Sequence, residues 1–238
     1  LFADKYVGFS HLASLGNEAD VTETDVIEYL ASDPNVTVIA AYVEAIREGQ
    51  RFIKLASQIS REKPIVLLKA GRTDAGARAV SSHTGSIAGS MAAYEAAFKQ
   101  SGVITANSLT EIFEISMALD YQPAPKGKRT VLLTNSGGPA ALASDALAFN
   151  GMTLQDLSPK TKDALREHLN PAAGVSNPVD MLGGAAPADY GRALRTLLAD
   201  EDVDSVIVIL VPTSLIDPAD IANEIVEASK DTNKTVLT

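Results

Sequence analysis

The chain has 238 residues, 46% of them hydrophobic and 21% charged, which supplies apolar material for one or two globular domains at ~100–200 residues each. Twenty Lys and Arg against thirty Asp and Glu leave a net charge of −10, arguing against nucleic acid or an anionic membrane as a broad partner, since both reward a basic surface. The absence of cysteine excludes disulfides, thiolate metal sites and a Cys nucleophile, and the longest apolar run, 206–211, is far short of the ~20 residues that span a bilayer.

Leu1-Phe2-Ala3-Asp4-Lys5-Tyr6 carries neither a basic start nor a long apolar run, so a cytoplasmic protein is expected. The same residues read as the tail of a helix leading into a strand at 8–15. Four near-continuous apolar, β-branched runs follow, at 36–43, 64–68, 130–134 and 205–210. Such runs suit strands covered on both faces, as in a parallel sheet flanked by helices. Between them lie helix starts. Ser108-Leu109-Thr110-Glu111 reads as a capping box, and Ser158-Pro159 and Asp217-Pro218 each pair an N-cap side chain with Pro at the first helical position. Strand and helix alternating in this way predict an α/β fold with doubly wound, mainly parallel sheets. The break falls at Tyr121-Gln122-Pro123-Ala124-Pro125-Lys126-Gly127-Lys128, which reads as an exposed linker between units 1–120 and 129–238. The first unit lacks an opening strand and the second stops inside one, at Thr235-Val236-Leu237-Thr238, so a fragment cut at both ends is expected.

The chemistry concentrates in three loops. Lys69-Ala70-Gly71-Arg72 through Ser81-Ser82-His83-Thr84-Gly85-Ser86 follows a strand and reads as a loop at the carboxyl edge of its sheet, where open α/β folds place ligands. A neutral imidazole there can be a base, a ligand or a nucleophile, or can tie down a turn. No second His or Cys stands at ligand spacing, which argues against zinc. Glu44 ends the 36–43 run at the same edge. It either accepts a hydrogen bond from His83, fixing the tautomer, or pairs with Arg47 or Arg51, and position alone fits both. Asn135-Ser136-Gly137-Gly138-Pro139 turns from strand into helix and offers free N–H groups at a helix start, a seat for phosphate. Asn177-Pro178-Val179-Asp180 is the third loop; its Asp180 suits either a phosphate neighbour or a turn cap. There is no Walker lysine motif and no Gly-x-Gly-x-x-Gly. Lys69, Arg72 and Arg78 could balance a phosphate or be surface charges, while His11, in the expected strand, and His168, near a helix end, read as structural.

Taken in order, Ser14-Leu15-Gly16-Asn17, Tyr42-Val43-Glu44, Lys69-Ala70-Gly71-Arg72 with Ser81-Ser82-His83-Thr84-Gly85, Asn135-Ser136-Gly137-Gly138-Pro139 and Asn177-Pro178-Val179-Asp180 resemble the NDP-forming acyl-CoA synthetases, ADP-forming acetyl-CoA synthetase in particular. The resemblance implies two successive flavodoxin-like, succinyl-CoA synthetase-like domains. It also implies a relay in which acyl-CoA and phosphate give acyl phosphate and CoA, and His83 carries the phosphoryl group to a nucleoside diphosphate. Glu44 would be the histidine's orienting partner, with Asn135, Ser136, Gly137, Gly138 and Gly85 as phosphate-binding residues. CoA, ATP or ADP and Mg²⁺ would be bound mainly by CoA-binding and ATP-grasp domains in cis or on a second subunit, possibly in a homo-oligomer, and the fragment alone would be inactive. The alternative that the resemblance leaves open is a CoA-responsive regulatory module of a GNAT-fused protein-lysine acetyltransferase.

Overall fold

The computed structural model describes residues 8–84, 90–214 and 216–238, without the side chains of 81–84. The chain divides into two compact units, Leu1–Tyr121 and Gln122–Thr238. The first contains α1 (Glu23–Ser32), β1 (Ile39–Val43), α2 (Gly49–Ile59), β2 (Ile65–Lys69), α3 (Asp74–Thr84), α4 (Met91–Ser101), β3 (Ile104–Ala106) and α5 (Leu109–Tyr121). Its strands pair in the order β1-β2-β3, all parallel, with Ile39 opposite Ile65 and Val43 opposite Lys69.

Side chains alternate across the sheet, so each strand feeds two cores. Ile39, Val43, Ile65 and Leu67 pack with Ile27 of α1, Phe52 and Ala56 of α2 and Phe98 of α4. Val66, Leu68 and Ala106 point to the other face, where Ile112 of α5 closes over them with Phe113, Ile115 and Leu119. Helices thus cover both faces, and the strands are apolar at nearly every position, Lys69 and Thr105 excepted, rather than at alternate ones.

The second unit contains β4 (Arg129–Thr134), α6 (Gly137–Phe149), β5 (Thr153–Leu154), α7 (Pro159–Arg166), β6 (Val179–Asp180), α8 (Pro187–Leu198), β7 (Ser205–Ile209), α9 (Pro218–Ser229) and β8 (Thr235–Leu237). The strands run parallel in the order β5-β4-β7-β8, and β6 pairs with β4 beyond β5. The chain therefore leaves β4 in one direction to β5 and returns on the other side at β7. That reversal of strand order is the flavodoxin-like switch point, and it opens a crevice at the carboxyl ends of β4 and β7. Val131, Leu133, Val206 and Val208 meet Tyr190, Leu194 and Leu197 of α8 and Ile221 and Ile225 of α9 in one continuous core.

Several expectations change. Residues 8–15 form no strand: they lie outside regular structure and are mostly exposed, Leu12 at 86%. Gly8, Ser10, Ser14 and Gly16 dilute the apolar content, so pairing would bury little. His11 accordingly sits not in a strand but on the surface, 3.5 Å from Asp33 Oδ2 and edge-on to Tyr29. Glu111 does not complete a capping box on Ser108; its carboxylate accepts from the Asn107 N–H at 2.5 Å, while Ser108 Oγ accepts from the Glu111 N–H at 3.0 Å. The Ser158 and Asp217 caps form as the sequence indicates, accepting from the N–H groups of Thr161 and Ala219. The proline-rich stretch is exposed through 123–126 but pinned at its start, since Gln122 Oε1 accepts from the Val236 N–H and the Pro123 carbonyl from Thr235 Oγ1.

Candidate active site

Two loci stand out, one at the carboxyl edge of each sheet. In the first unit, β2 ends at Lys69 and the chain turns through Ala70-Gly71-Arg72-Thr73 into α3. Gly71 has φ +72°, and a Cβ there would stand 3.2 Å from Val80 Cγ2, so the turn needs glycine both for its backbone and for the close return of α3. Thr73 Oγ1 accepts from the Gly76 N–H at 3.1 Å and starts the helix. Residues 74–84, expected as loop, are therefore helical: Thr73 caps, Asp74 favours the first turn, and Ala75, Ala77 and Ala79 are strong helix formers. His83 lies in the last turn of α3; its side chain, like Gly85, is outside the described residues.

Glu44 immediately follows β1, in the row of residues that also ends at Lys69, because Val43 pairs with Lys69 and the Ala70 N–H donates to the Val43 carbonyl. Its carboxylate does not take the two arginines considered from sequence. Arg47 binds the Asn17 carbonyl at 2.8 Å and Glu18, and Arg51 binds Asp25, Glu28 and Glu48. Glu44 Oε2 is buried and has no hydrogen-bond partner among the described residues. Beside it, burial pushes the Lys69 ammonium below the ordinary lysine range, with the Glu44 charge opposing that shift. Arg72 reaches the Asn107 side chain on the next edge loop, and Arg78 is exposed.

In the second unit β4 delivers Asn135 and Ser136 to the start of α6. Asn135 is committed to structure. Its amide donates to the Val211 carbonyl and accepts from the Val211 N–H, both at 2.9 Å, and so ties the β4 and β7 edge loops together. Ser136 is the N-cap without a side-chain bond; its N–H donates to Thr134 Oγ1. Gly137 and Gly138 are exposed, and a Cβ on Gly138 would meet nothing within 4 Å. Asp180 caps its own turn, Oδ1 accepting from the Leu182 N–H at 2.9 Å, while Oδ2 stands 3.8 Å from where a Cβ of Gly137 would be. A carboxylate thus already flanks the helix start. The buried Tyr190 phenol, pushed up to about 12 by burial and then by the Asp180 charge, has no partner among the described residues.

Sequence reasoning missed two residues here. Asn177 lies in a recognised motif, but its work is structural: Oδ1 accepts from the Leu132 N–H, and Nδ2 donates to the Thr130 and Gln155 carbonyls. The side chain thus fills the gap on the edge of β4 between its short partners β5 and β6. Tyr94 gave no signal beyond an aromatic in an alanine-rich helix.

The crevice at the switch point is lined by Asn135, Leu210, Val211, Thr213, Ile216 and Ile221 among others. Among the described residues no three His, Asp or Glu side chains converge as metal ligands. No described helix is long and apolar enough to cross a membrane.

Residues 1–119 match the family model of the succinyl-CoA ligase-like flavodoxin domain, and residues 130–236 that of the Ligase-CoA domain. The chain is 45% identical over 229 residues to the alpha subunit of ADP-forming acetate–CoA ligase II of Pyrococcus furiosus, covering 95% of this chain and 50% of that protein. It is also 45% identical over 212 residues to ADP-forming acetate–CoA ligase I of Archaeoglobus fulgidus, covering 89% of this chain and 30% of that protein. Among solved structures, the dinucleotide-forming acetyl-coenzyme A synthetase 1 of Ca. Korarchaeum cryptofilum, in complex with phosphate and ADP, superposes with a TM-score of 0.89 at 40% identity, over 94% of this chain and 49% of that one. The chain therefore spans half or less of the length of these relatives. With both units matched, the chain belongs to the family of succinyl-CoA ligase-like flavodoxin domains, here followed by a Ligase-CoA domain, and along nearly its whole length it is similar to part of ADP-forming acetate–CoA ligases.

Proposed function

We propose that this chain forms the phosphohistidine-bearing part of a cytoplasmic ADP-forming acyl-CoA synthetase, and that His83 is its phosphoryl carrier. The observation that carries this reading is Glu44 Oε2, a buried acceptor without a described donor at the carboxyl edge shared with the turn into the helix of His83. An unsatisfied buried carboxylate oxygen is costly and calls for a donor; an imidazole N–H is one. Donating that N–H fixes the tautomer and leaves the other ring nitrogen with its lone pair. That nitrogen attacks the phosphorus of an acyl phosphate, the P–O bond breaks, and the carboxylate leaves as the free acid. The phosphohistidine then gives its phosphoryl group to a nucleoside diphosphate oxygen and returns to neutral imidazole.

The start of α6 serves as an anion seat through the N–H groups of Gly137 and Gly138, with the helix dipole behind them. Asn135 supports the seat by anchoring its loop to Val211. CoA, nucleotide and Mg²⁺ belong to CoA-binding and ATP-grasp domains elsewhere in the same chain or on a second subunit. The relatives named above are ligases, which favours this reading over a regulatory module of an acetyltransferase. Glu44→Gln in the intact protein, which keeps an oxygen acceptor but removes the charge, is expected to lower the rate of phosphohistidine formation about a hundredfold, followed with ³²P-labelled ATP. An unchanged rate would refute the role of Glu44.

A further inference from the structure

Lys69 is the one charged residue in a strand whose other members, Ile65, Val66, Leu67 and Leu68, are apolar and buried. It is itself only 8% exposed. Lysine is rarely buried unless paired, and a Met of similar length would fill the position without the cost of desolvating an ammonium. Two contacts show what the ammonium does instead: Nζ donates to the Ala70 carbonyl and lies 4.7 Å from the centroid of the Tyr94 ring. Lys69 is also paired in register with Val43, the residue before Glu44, whose charge opposes the lowering of the ammonium's pKa by burial. Tyr94 Oη accepts from the Ile46 N–H at 3.4 Å, two residues beyond Glu44. One aromatic side chain of α4 therefore touches both the lysine and the loop that holds the carboxylate, and cation–π contact is strengthened where the cation is desolvated. None of these contacts consumes Glu44 Oε2.

We propose that Lys69 is a positioning residue for the phosphoryl relay: held by Tyr94 and the Ala70 carbonyl, it supplies the counter-charge that keeps the Glu44 carboxylate at the end of β1 with Oε2 free for the imidazole. This rests on the reading of Glu44 and His83 given above. Lys69 touches no reacting atom; it acts through Glu44.

The test uses the intact, full-length protein, measuring initial acid-labile ³²P labelling from ATP with Mg²⁺ together with steady-state kcat and KM. Lys69→Met is expected to lower kcat and labelling ~10–100-fold, as loss of a supporting partner does, with KM values within about twofold. Lys69→Arg, which keeps the charge, restores most of the rate. In a Glu44→Gln background Lys69→Met has little further effect, because the two act as one unit. Tyr94→Leu falls as Lys69→Met does, whereas Tyr94→Phe, which keeps the ring, does not; this pair decides the matter if Lys69→Met fails to fold. Wild-type labelling in Lys69→Met, equal loss in the Arg and Met variants, or full additivity with Glu44→Gln would overturn the inference. Label surviving in a His83→Ala control would remove the relay itself, whereas label lost there but unchanged in Lys69→Met would remove only the role of Lys69.

Discussion

A carboxylate oxygen withdrawn from water and given no donor costs free energy, and proteins keep such groups where something else is meant to meet them. Glu44 Oε2 is in that position, as is Glu23 Oε2 at the start of α1, while Asp25, Glu28 and Glu48 are used by Arg51 and Glu18 by Arg47. A methyl group on Gly138 enters open space, so Gly138→Ala is expected to leave the melting temperature unchanged or slightly raised, since Ala exceeds Gly in helix propensity by up to about 1 kcal/mol. The same methyl would stand in the approach of an anion, and phosphohistidine formation in the intact protein is expected to drop about tenfold. Loss of stability without loss of labelling would show that the α6 start is a packing feature rather than an anion seat.

Asp204 illustrates a different use of charge. The Arg129 guanidinium, binding it through Nε at 3.0 Å and Nη2 at 2.8 Å, and the Arg129 backbone N–H at 2.9 Å, hold its carboxyl down to about 2. A folded-state value below the ordinary 3.8 means that the pair stabilises the second unit above about pH 4 and that this contribution fades as pH falls towards about 2. Asp204→Asn is expected to lower stability at neutral pH and to flatten the acid limb of a denaturation profile over that interval. An acid limb identical to wild type would remove this assignment. Gly127 belongs to the same arrangement, because a Cβ there would stand 2.3 Å from Asp204 Oδ2.

Among the elements, β4 depends most on side-chain support. Its partners on one side, β5 and β6, are each two residues long, and the Asn177 amide occupies the stretch between them. Asn177→Ala leaves the Leu132 N–H and the Thr130 and Gln155 carbonyls short of partners and is expected to destabilise the second unit by about 2–4 kcal/mol, read by chemical denaturation. A change under about 0.5 kcal/mol would mean that the edge is satisfied without it. This is also where sequence reading reaches its limit. The runs that became β1, β2, β4 and β7 were legible because a strand buried on both faces must be apolar throughout. The elements β3, β5 and β6 are two or three residues long and leave no periodic trace; they exist because neighbouring strands offer them an edge. The helix α3 was legible in Thr73, Asp74 and its alanines, but the glycines and serines around His83 outweighed that signal and the segment was read as loop. Segment 8–15 erred in the other direction, since Phe9, Leu12 and Leu15 suggest a strand that the glycines and serines leave unpaired.

At the scale of the molecule, each unit closes its own core, with Phe52, Leu67 and Phe98 central in one and Leu133, Tyr190 and Leu194 in the other, all within a few per cent of complete burial. Each places its candidate loop at the carboxyl edge of a parallel sheet, where open α/β folds bind ligands. The candidate residues were legible because their chemistry is local, a histidine after a Gly-Arg turn and a Gly-Gly-Pro helix start. Lys69 was legible as a charge in one of those motifs, but its neighbour Tyr94 and the Val211 backbone that Asn135 binds were not: they come from other elements, and only the fold brings them together. The chain spans half or less of the length of the relatives it matches, so the proposed nucleotide- and CoA-dependent activity is tested on the intact, full-length protein. The most direct measurement is therefore made on that intact protein, incubated briefly with γ-³²P-ATP and Mg²⁺ beside a His83→Ala variant. Acid-labile, alkali-stable label that is discharged by ADP and absent from His83→Ala is the predicted result. Folded, ATP-binding wild-type protein that takes no label, or a His83→Ala variant that takes as much, would contradict the account.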